Sequence, residues 1–169
     1  MPNLLRHLEN ITEVYKLPCV VAVNKFPTDT DKEVELVIER CKELGVNVVL
    51  SDVWAKGGEG GIDLANEVVR LCESENDFSF SYDLNDSIYD KIFKIASKAY
   101  GANEVVYADS VKEEIEKLQN SDKKDYYICM AKCPNSLTDN PKIIGAPKDF
   151  AITIRDIRVS TGAKFIICL

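Results

Sequence analysis

The chain has little histidine, methionine or tryptophan, with one, two and one of them among 169 residues. His7, the single histidine, would have to carry any Ser-His-Asp or Cys-His mechanism alone, so hydrolase chemistry of that kind has no support. It falls in a helical pattern and reads as a packing or capping residue. Basic charge is also scarce. Twenty-one Lys and Arg against 28 Asp and Glu leave a formal net charge of -7, which opposes nonspecific binding to a nucleic-acid backbone. No apolar run is long enough to cross a bilayer, and no signal-peptide pattern is visible. A cytoplasmic protein with small-molecule partners, and neither nucleic acid nor membrane, is the expectation.

The six cysteines, Cys19, Cys41, Cys72, Cys129, Cys133 and Cys168, are scattered through predicted helices and strands rather than set out as a secreted framework, which fits reduced thiols. Cys129 and Cys133 lie close in sequence, but two further ligands are not offered nearby, so no metal site is expected. The Gly-x-x-x-x-Gly-Lys-Ser/Thr phosphate loop is absent as well. Lys56-Gly57-Gly58-Glu59-Gly60-Gly61 puts its lysine before the glycines instead. That lysine can touch an anionic substrate or stand exposed at a flexible helix start, and both readings stay open.

A hydrophobic content of 46% suffices for a real core in one or two small domains. Leu4, Leu5, Leu8 and Ile11 share one face of an opening helix. Residues 19–23 and 46–50 are Val-rich and have the length of strands buried on both faces. Between them residues 31–44 predict a helix with Val34, Val37, Ile38, Cys41 and Leu44 on one stripe. Thr30 with Glu33 forms a capping box, and Gly45 suits the left-handed position after the last turn. Strand, helix and strand in succession make the two strands parallel. A further helix is expected at residues 62–72, with Leu64, Val68, Leu71 and Cys72 inward.

Ligands of open α/β sheets gather beyond the carboxyl ends of the strands. The segments there are Asn24-Lys25-Phe26-Pro27-Thr28-Asp29-Thr30 and the loop from Ser51 to Gly61, which carries Trp54. Phe26 and Trp54 have polar or small neighbours and belong to no apolar stripe. A clamp for a planar ligand and ordinary rim packing are both consistent with the pair.

Texture changes after Cys72, and a boundary near residue 85 divides an α/β segment, 1–85, from a smaller α+β segment, 86–169. The second half predicts a helix over 87–100 with Ile88, Ile92, Ile95, Ala96 and Ala99 inward and Gly101 ending it. A helix over 109–118 follows, with Ser110 and Glu113 as another capping box, then a strand over 126–132 and a long loop over 134–149. Asp139, Lys142 and Lys148 on that loop can reach a ligand or simply be solvated. Two β segments, 150–155 and 157–160, slip phase at Arg155-Asp156, which predicts a bulge or a break. Residues 164–169 read as an apolar strand that stops without a polar tail.

Several ordered blocks resemble the C-terminal part of the formate–tetrahydrofolate ligase family, also called 10-formyltetrahydrofolate synthetases. They are Asn3-Leu4-Leu5-Arg6-His7-Leu8-Glu9-Asn10, Val20-Val21-Ala22-Val23 with the Asn24 to Thr30 loop, Val53-Trp54-Ala55-Lys56 with its glycines, Tyr100-Gly101-Ala102, Cys129-Met130-Ala131-Lys132, Gly145-Ala146-Pro147, and Arg155-Asp156-Ile157-Arg158-Val159-Ser160-Thr161-Gly162. The likeness covers essentially the whole chain.

The resemblance implies a parallel βαβ layer belonging to a doubly wound, P-loop-NTPase-like architecture. It implies formation of 10-formyltetrahydrofolate through formyl phosphate, with ATP (with Mg) and tetrahydrofolate as substrates of the full-length enzyme, and none of them held tightly by this chain. Phe26 and Trp54 would sandwich the pterin-like ring, and Leu50, Ser51, Lys56, Gly57 and Gly58 would line the cleft. Asn24 and Asp29 are nucleotide candidates, but Asp29 comes two residues too late for an Asn-Lys-x-Asp base-reading loop. As local structure, Asn24 ends a strand and Asp29 helps cap the next helix.

The family's ATP-site glycines and formyl-phosphate residues precede the segment seen here, so the chain is expected to be a fragment that is inactive alone and has no identifiable catalytic residue. Homo-oligomerisation of the full-length protein stays open. The alternatives are a noncatalytic pterin- or nucleotide-binding module and an interaction protein that merely keeps the fold. ATP- and formate-dependent formylation of folate separates the first reading from these two.

Overall fold

The structure, a computed structural model, describes residues 1–131 and 137–169. Lys132, Cys133 and the start of the predicted 134–149 loop lie outside the described residues. The chain divides into two compact units, Asn3–Phe78 and Ser79–Leu169.

Helix α1, Pro2–Glu9, continues into a wide π turn, Asn10–Val14. Strand β1, Val20–Asn24, leads through helix α2, Asp31–Lys42, to strand β2, Asn47–Ser51. The two strands pair in parallel, with Val21 opposite Val48 and Asn24 opposite Ser51. The Thr30 hydroxyl accepts the Glu33 amide and the Glu33 carboxylate accepts the Thr30 amide, so the predicted capping box is complete. The Thr30 amide bond is also the main reason the Glu33 carboxyl sits below its usual range. At the other end Gly45 takes φ +70°. The Gly45 and Val46 amides then close on the Lys42 and Cys41 carbonyls at 2.9 and 3.0 Å, the paired bonds of a Schellman ending.

Leu8, Val21, Cys41 and Val46 form the buried cluster of this unit, with Leu4, Cys19, Val23, Val37 and Val48 packed around it. Two expectations are corrected here. The strands are not buried on both faces, because Ala22, Asn24 and Leu50 are exposed. Residues alternate across a strand, and the cluster takes one side of a two-stranded sheet. Leu44 is 55% exposed, because α2 ends at Lys42 and the last turn carries Leu44 off the stripe.

A single turn α3, Val53–Lys56, and a 3-10 turn, Gly57–Gly61, lead into helix α4, Ile62–Cys72. Leu64 and Leu71 are half-buried, whereas Val68 and Cys72, expected inward, are exposed. A sheet two strands wide covers only part of an 11-residue helix.

In the second unit helix α5, Ile88–Ile95, starts where the Ser87 hydroxyl accepts the Asp90 amide at 3.1 Å. A π turn, Ala96–Tyr100, follows, and Gly101 ends it at φ +81°. Strand β3, Glu104–Tyr107, is not expected from the sequence: it has only four residues, and its central Val-Val pair hides the alternation of exposed and half-buried positions that the fold shows. Helix α6, Asp109–Gln119, begins straight after it. Ser110 therefore lies inside the helix, and its predicted capping box does not form. Ala108 occupies the cap position while its amide still donates to Ile154 at 3.1 Å, so strand pairing sets where α6 starts.

Strand β4, Tyr127–Met130, strand β5, Ala151–Ile154, strand β6, Ile157–Ser160, and strand β7, Phe165–Cys168, complete the unit. β3 pairs in parallel with β5, while β7 lies between a parallel β4 and an antiparallel β6. The phase slip at Arg155-Asp156 is a break, where both amides turn to the Leu169 carbonyl at 2.8 and 3.3 Å. Ile88, Ile92, Ala96, Ile115, Ile152, Ile154 and Ile166 centre the core. Among the described residues no helix is long and apolar enough to cross a membrane.

Candidate functional site

Because Asn24 stands opposite Ser51 in a parallel pair, the loops leaving β1 and β2 start side by side. The Lys25 amide extends the ladder one step by donating to the Ser51 carbonyl at 3.1 Å. Phe26 follows at once. Its amide donates to the Asp29 carboxylate at 2.8 Å, and the Asp29 amide returns a bond to the Phe26 carbonyl at 3.0 Å. Asp29 is therefore not a cap of α2, a role that Thr30 fills. The Lys25 ammonium pairs with Asp31 at 3.0 Å. Asn24 is exposed at the strand end, and its side chain makes no hydrogen bond among the described residues.

The second loop is folded on Asp52. Its amide donates to the Gly60 carbonyl at 3.0 Å, and its carbonyl accepts the Ala55 and Lys56 amides at 3.2 and 2.9 Å. The Asp52 carboxylate pairs with the Lys56 ammonium at 2.8 Å, and this hydrogen bond raises the Lys56 pKa. Gly60 is required. A Cβ there would lie 2.3 Å from the Asp52 carbonyl oxygen, inside any van der Waals contact. Gly57 takes φ +61°, while a Cβ at Gly58 would meet nothing within 4 Å. Ser51 is buried under this loop and Leu50 is 41% exposed.

These two loops bring Phe26 and Trp54 together. Their ring centroids lie 6.5 Å apart with 50° between the planes. Phe26 is 48% and Trp54 70% exposed, so core packing does not account for either. A flat ring touching two aromatic faces at van der Waals distance needs them about 7 Å apart and parallel. The separation is close to that, and the tilt is what differs. Asn24 stands at the base of the first loop and Lys56 at the end of the turn that carries Trp54.

Sequence reasoning missed Asp52 and Gly60. The four-residue spacing of Asp52 and Lys56 is a signal for their ion pair, whereas the need for glycine at 60 arises from a contact eight positions back that no local pattern announces. Among the described residues no three His, Cys, Asp or Glu side chains group as a metal site. The described cysteines are free thiols.

A parallel βαβ unit defines an α/β protein, and its exposed aromatics lie at the carboxyl edge, where ligands of open α/β sheets gather. Comparison with known families gives the particular one. The family model described as formate–tetrahydrofolate ligase matches residues 1–169, and the chain belongs to that family. Its members are ligases that use ATP, formate and tetrahydrofolate.

Proposed function

We propose that this chain forms the folate side of a ligase site and that Phe26 and Trp54 grip the pterin ring of tetrahydrofolate. The observation that carries the reading is the 6.5 Å pairing of two exposed rings at the ends of adjacent parallel strands, in a chain of this family. Each stacked face adds on the order of 1 kcal/mol beyond area burial. Orientation is the larger service, since a bimolecular attack gains most from a held geometry.

In the reaction proposed, a formate oxygen attacks the γ-phosphorus of ATP, the bond to the β-phosphate oxygen breaks, and ADP leaves. N10 of tetrahydrofolate then attacks the formyl carbon, the carbon–oxygen bond to phosphate breaks, and N10 loses its proton. This chain's part is to hold the pterin so that N10 faces the formyl group. Asn24, Asp29, Leu50, Ser51, Lys56, Gly57 and Gly58 line or shape the cleft. The βαβ layer belongs to a doubly wound, P-loop-like architecture in a cytoplasmic enzyme of one-carbon metabolism. The sequence carries no Gly-x-x-x-x-Gly-Lys-Ser/Thr phosphate loop, and none of the cleft residues is given the phosphate chemistry in this reading.

The test is a titration of tetrahydrofolate into the chain, followed by the fluorescence of Trp54, its only tryptophan, and by calorimetry. Saturable binding that weakens about 5-fold with Phe26→Ala is expected, the equivalent of one stacked face. Trp54→Phe, read by calorimetry, weakens it less because a ring remains. Absence of binding in a chain shown by circular dichroism to be folded overturns the reading.

A further inference from the structure

The two jaws of the aromatic pair are not held alike. Phe26 sits in a segment tied at Lys25, Phe26 and Asp29. The Lys25 amide is bound to the Ser51 carbonyl at 3.1 Å, and the Asp29 amide to the Phe26 carbonyl at 3.0 Å. The Asp29 carboxylate holds the Phe26 amide at 2.8 Å, and the capping box of α2 begins at the next residue, Thr30. A carboxylate on a backbone N–H is a charge-assisted bond, about twice as strong as a neutral one. It fixes the peptide from which the Phe26 side chain springs.

Trp54 lies on a single helical turn, Val53–Lys56. Among the described residues no side chain caps that turn as the Asp29 carboxylate holds the Phe26 amide. The Ala55 and Lys56 amides close the turn on the Asp52 carbonyl and the Gly57 amide closes it on the Val53 carbonyl, so what is free to turn is the indole rather than the backbone. The turn is followed by Gly57 at φ +61° and by Gly58, whose missing side chain would meet nothing. The indole is 70% exposed, against 48% for Phe26. A planar ligand requires the 50° between the rings to close, and the ring with fewer restraints is the one that turns.

We propose that Phe26 is the fixed jaw and Trp54 the moving jaw of the clamp, and that Asp29 is a positioning residue that sets Phe26 through its amide rather than a nucleotide contact. This rests on the clamp reading above. Presetting one face removes part of the ordering entropy that binding otherwise costs. The mobile indole then adapts to the bound ring. Asp29 touches no reacting atom in this scheme. Its loss weakens ligand binding.

The experiment compares unsubstituted chain, Phe26→Ala, Asp29→Ala and Asp29→Asn by calorimetry with tetrahydrofolate. Exchange of the Phe26 amide proton, followed by NMR without ligand, is the second readout, and Trp54 fluorescence anisotropy before and after ligand is the third. Asp29→Ala is expected to weaken binding about 10-fold, the worth of one hydrogen bond to a charged group, and to speed Phe26 amide exchange. Asp29→Asn keeps a carbonyl oxygen for the same amide and should stay within about 3-fold of the unsubstituted chain, since a neutral acceptor forfeits only part of that bond. Trp54 anisotropy should rise on binding.

If the unsubstituted chain does not bind, or Phe26→Ala binds as well as it does, the clamp reading falls and this proposal with it. If Phe26→Ala weakens binding but Asp29→Ala does not, the clamp stands and the proposal fails. Asn behaving as badly as Ala, with Phe26 amide exchange unchanged in both, would mean that Asp29 meets the ligand directly. An indole already immobile before ligand is added would remove the moving jaw.

Discussion

Gly60 carries a constraint that no side chain advertises. A methyl group at this position would sit 2.3 Å from the Asp52 carbonyl oxygen, whereas one on Gly58 would find open space. Gly60→Ala must therefore push the base of the Trp54 loop apart, at a cost of about 1–3 kcal/mol if the loop stays folded. Tetrahydrofolate affinity is expected to drop with it, and Gly58→Ala should leave both quantities near those of the unsubstituted chain. Thermal melts and calorimetry on the two variants check this; equal behaviour would show that the Asp52–Gly60 approach does not set the loop. The two glycines look alike in the Gly57 to Gly61 run, since what separates them is a backbone contact made only after the loop has closed. Asp29 teaches the same lesson. It stands where a helix cap would, and only the fold shows its carboxylate turned back onto Phe26.

Among the elements, α2 could be read almost residue by residue, because its start and stop are local. The capping box joins Thr30 to Glu33, and the Schellman bonds join residues a few positions apart. Helix α4 had equally legible ends but a misjudged face, since its burial depends on how wide a sheet lies beneath it. Besides the half-buried Leu64 and Leu71, a polar contact ties α4 to β2. The Glu67 carboxylate accepts from Arg70 at 2.7 and 2.8 Å and from Asn47 of β2 at 2.7 Å. The Arg70 bonds first, and then the Asn47 bond, hold its pKa down to about 2 from an ordinary 4.5. A carboxyl depressed in the folded state adds stability that is fully present above its unfolded pKa and is lost as pH falls through the folded one. Glu67→Gln is therefore expected to melt earlier than the unsubstituted chain at pH 7. The difference should shrink below about pH 4.5 and vanish near pH 2. A gap in melting temperature that stays constant across that range would argue against the linkage.

For the whole molecule, two separate cores predict two events. In Asn3–Phe78 the buried cluster consists of Leu8, Val21, Cys41 and Val46. In Ser79–Leu169 thirteen described residues are buried together, from Ile88 to Cys168. Buried apolar area is the main favourable term in folding, so the first unit should open at lower urea. Trp54 reports on it alone. Its fluorescence transition is expected to precede the main loss of far-UV circular dichroism, and coincident transitions would show that the units unfold together.

Much about this chain follows from residues close to one another along it. The helix ends, the strand–helix–strand order that sends Phe26 and Trp54 to one edge, and the family likeness are all of that kind. Other features exist only once distant segments pair. The single covered face of β1 and β2, the break between β5 and β6, and the start of α6 at Ala108 depend on which strands lie side by side. The 50° between the two rings depends on loops whose hydrogen bonds cross from one strand end to the next. Register, exposure and ring tilt are properties of the packed chain, and local periodicity carries no record of them.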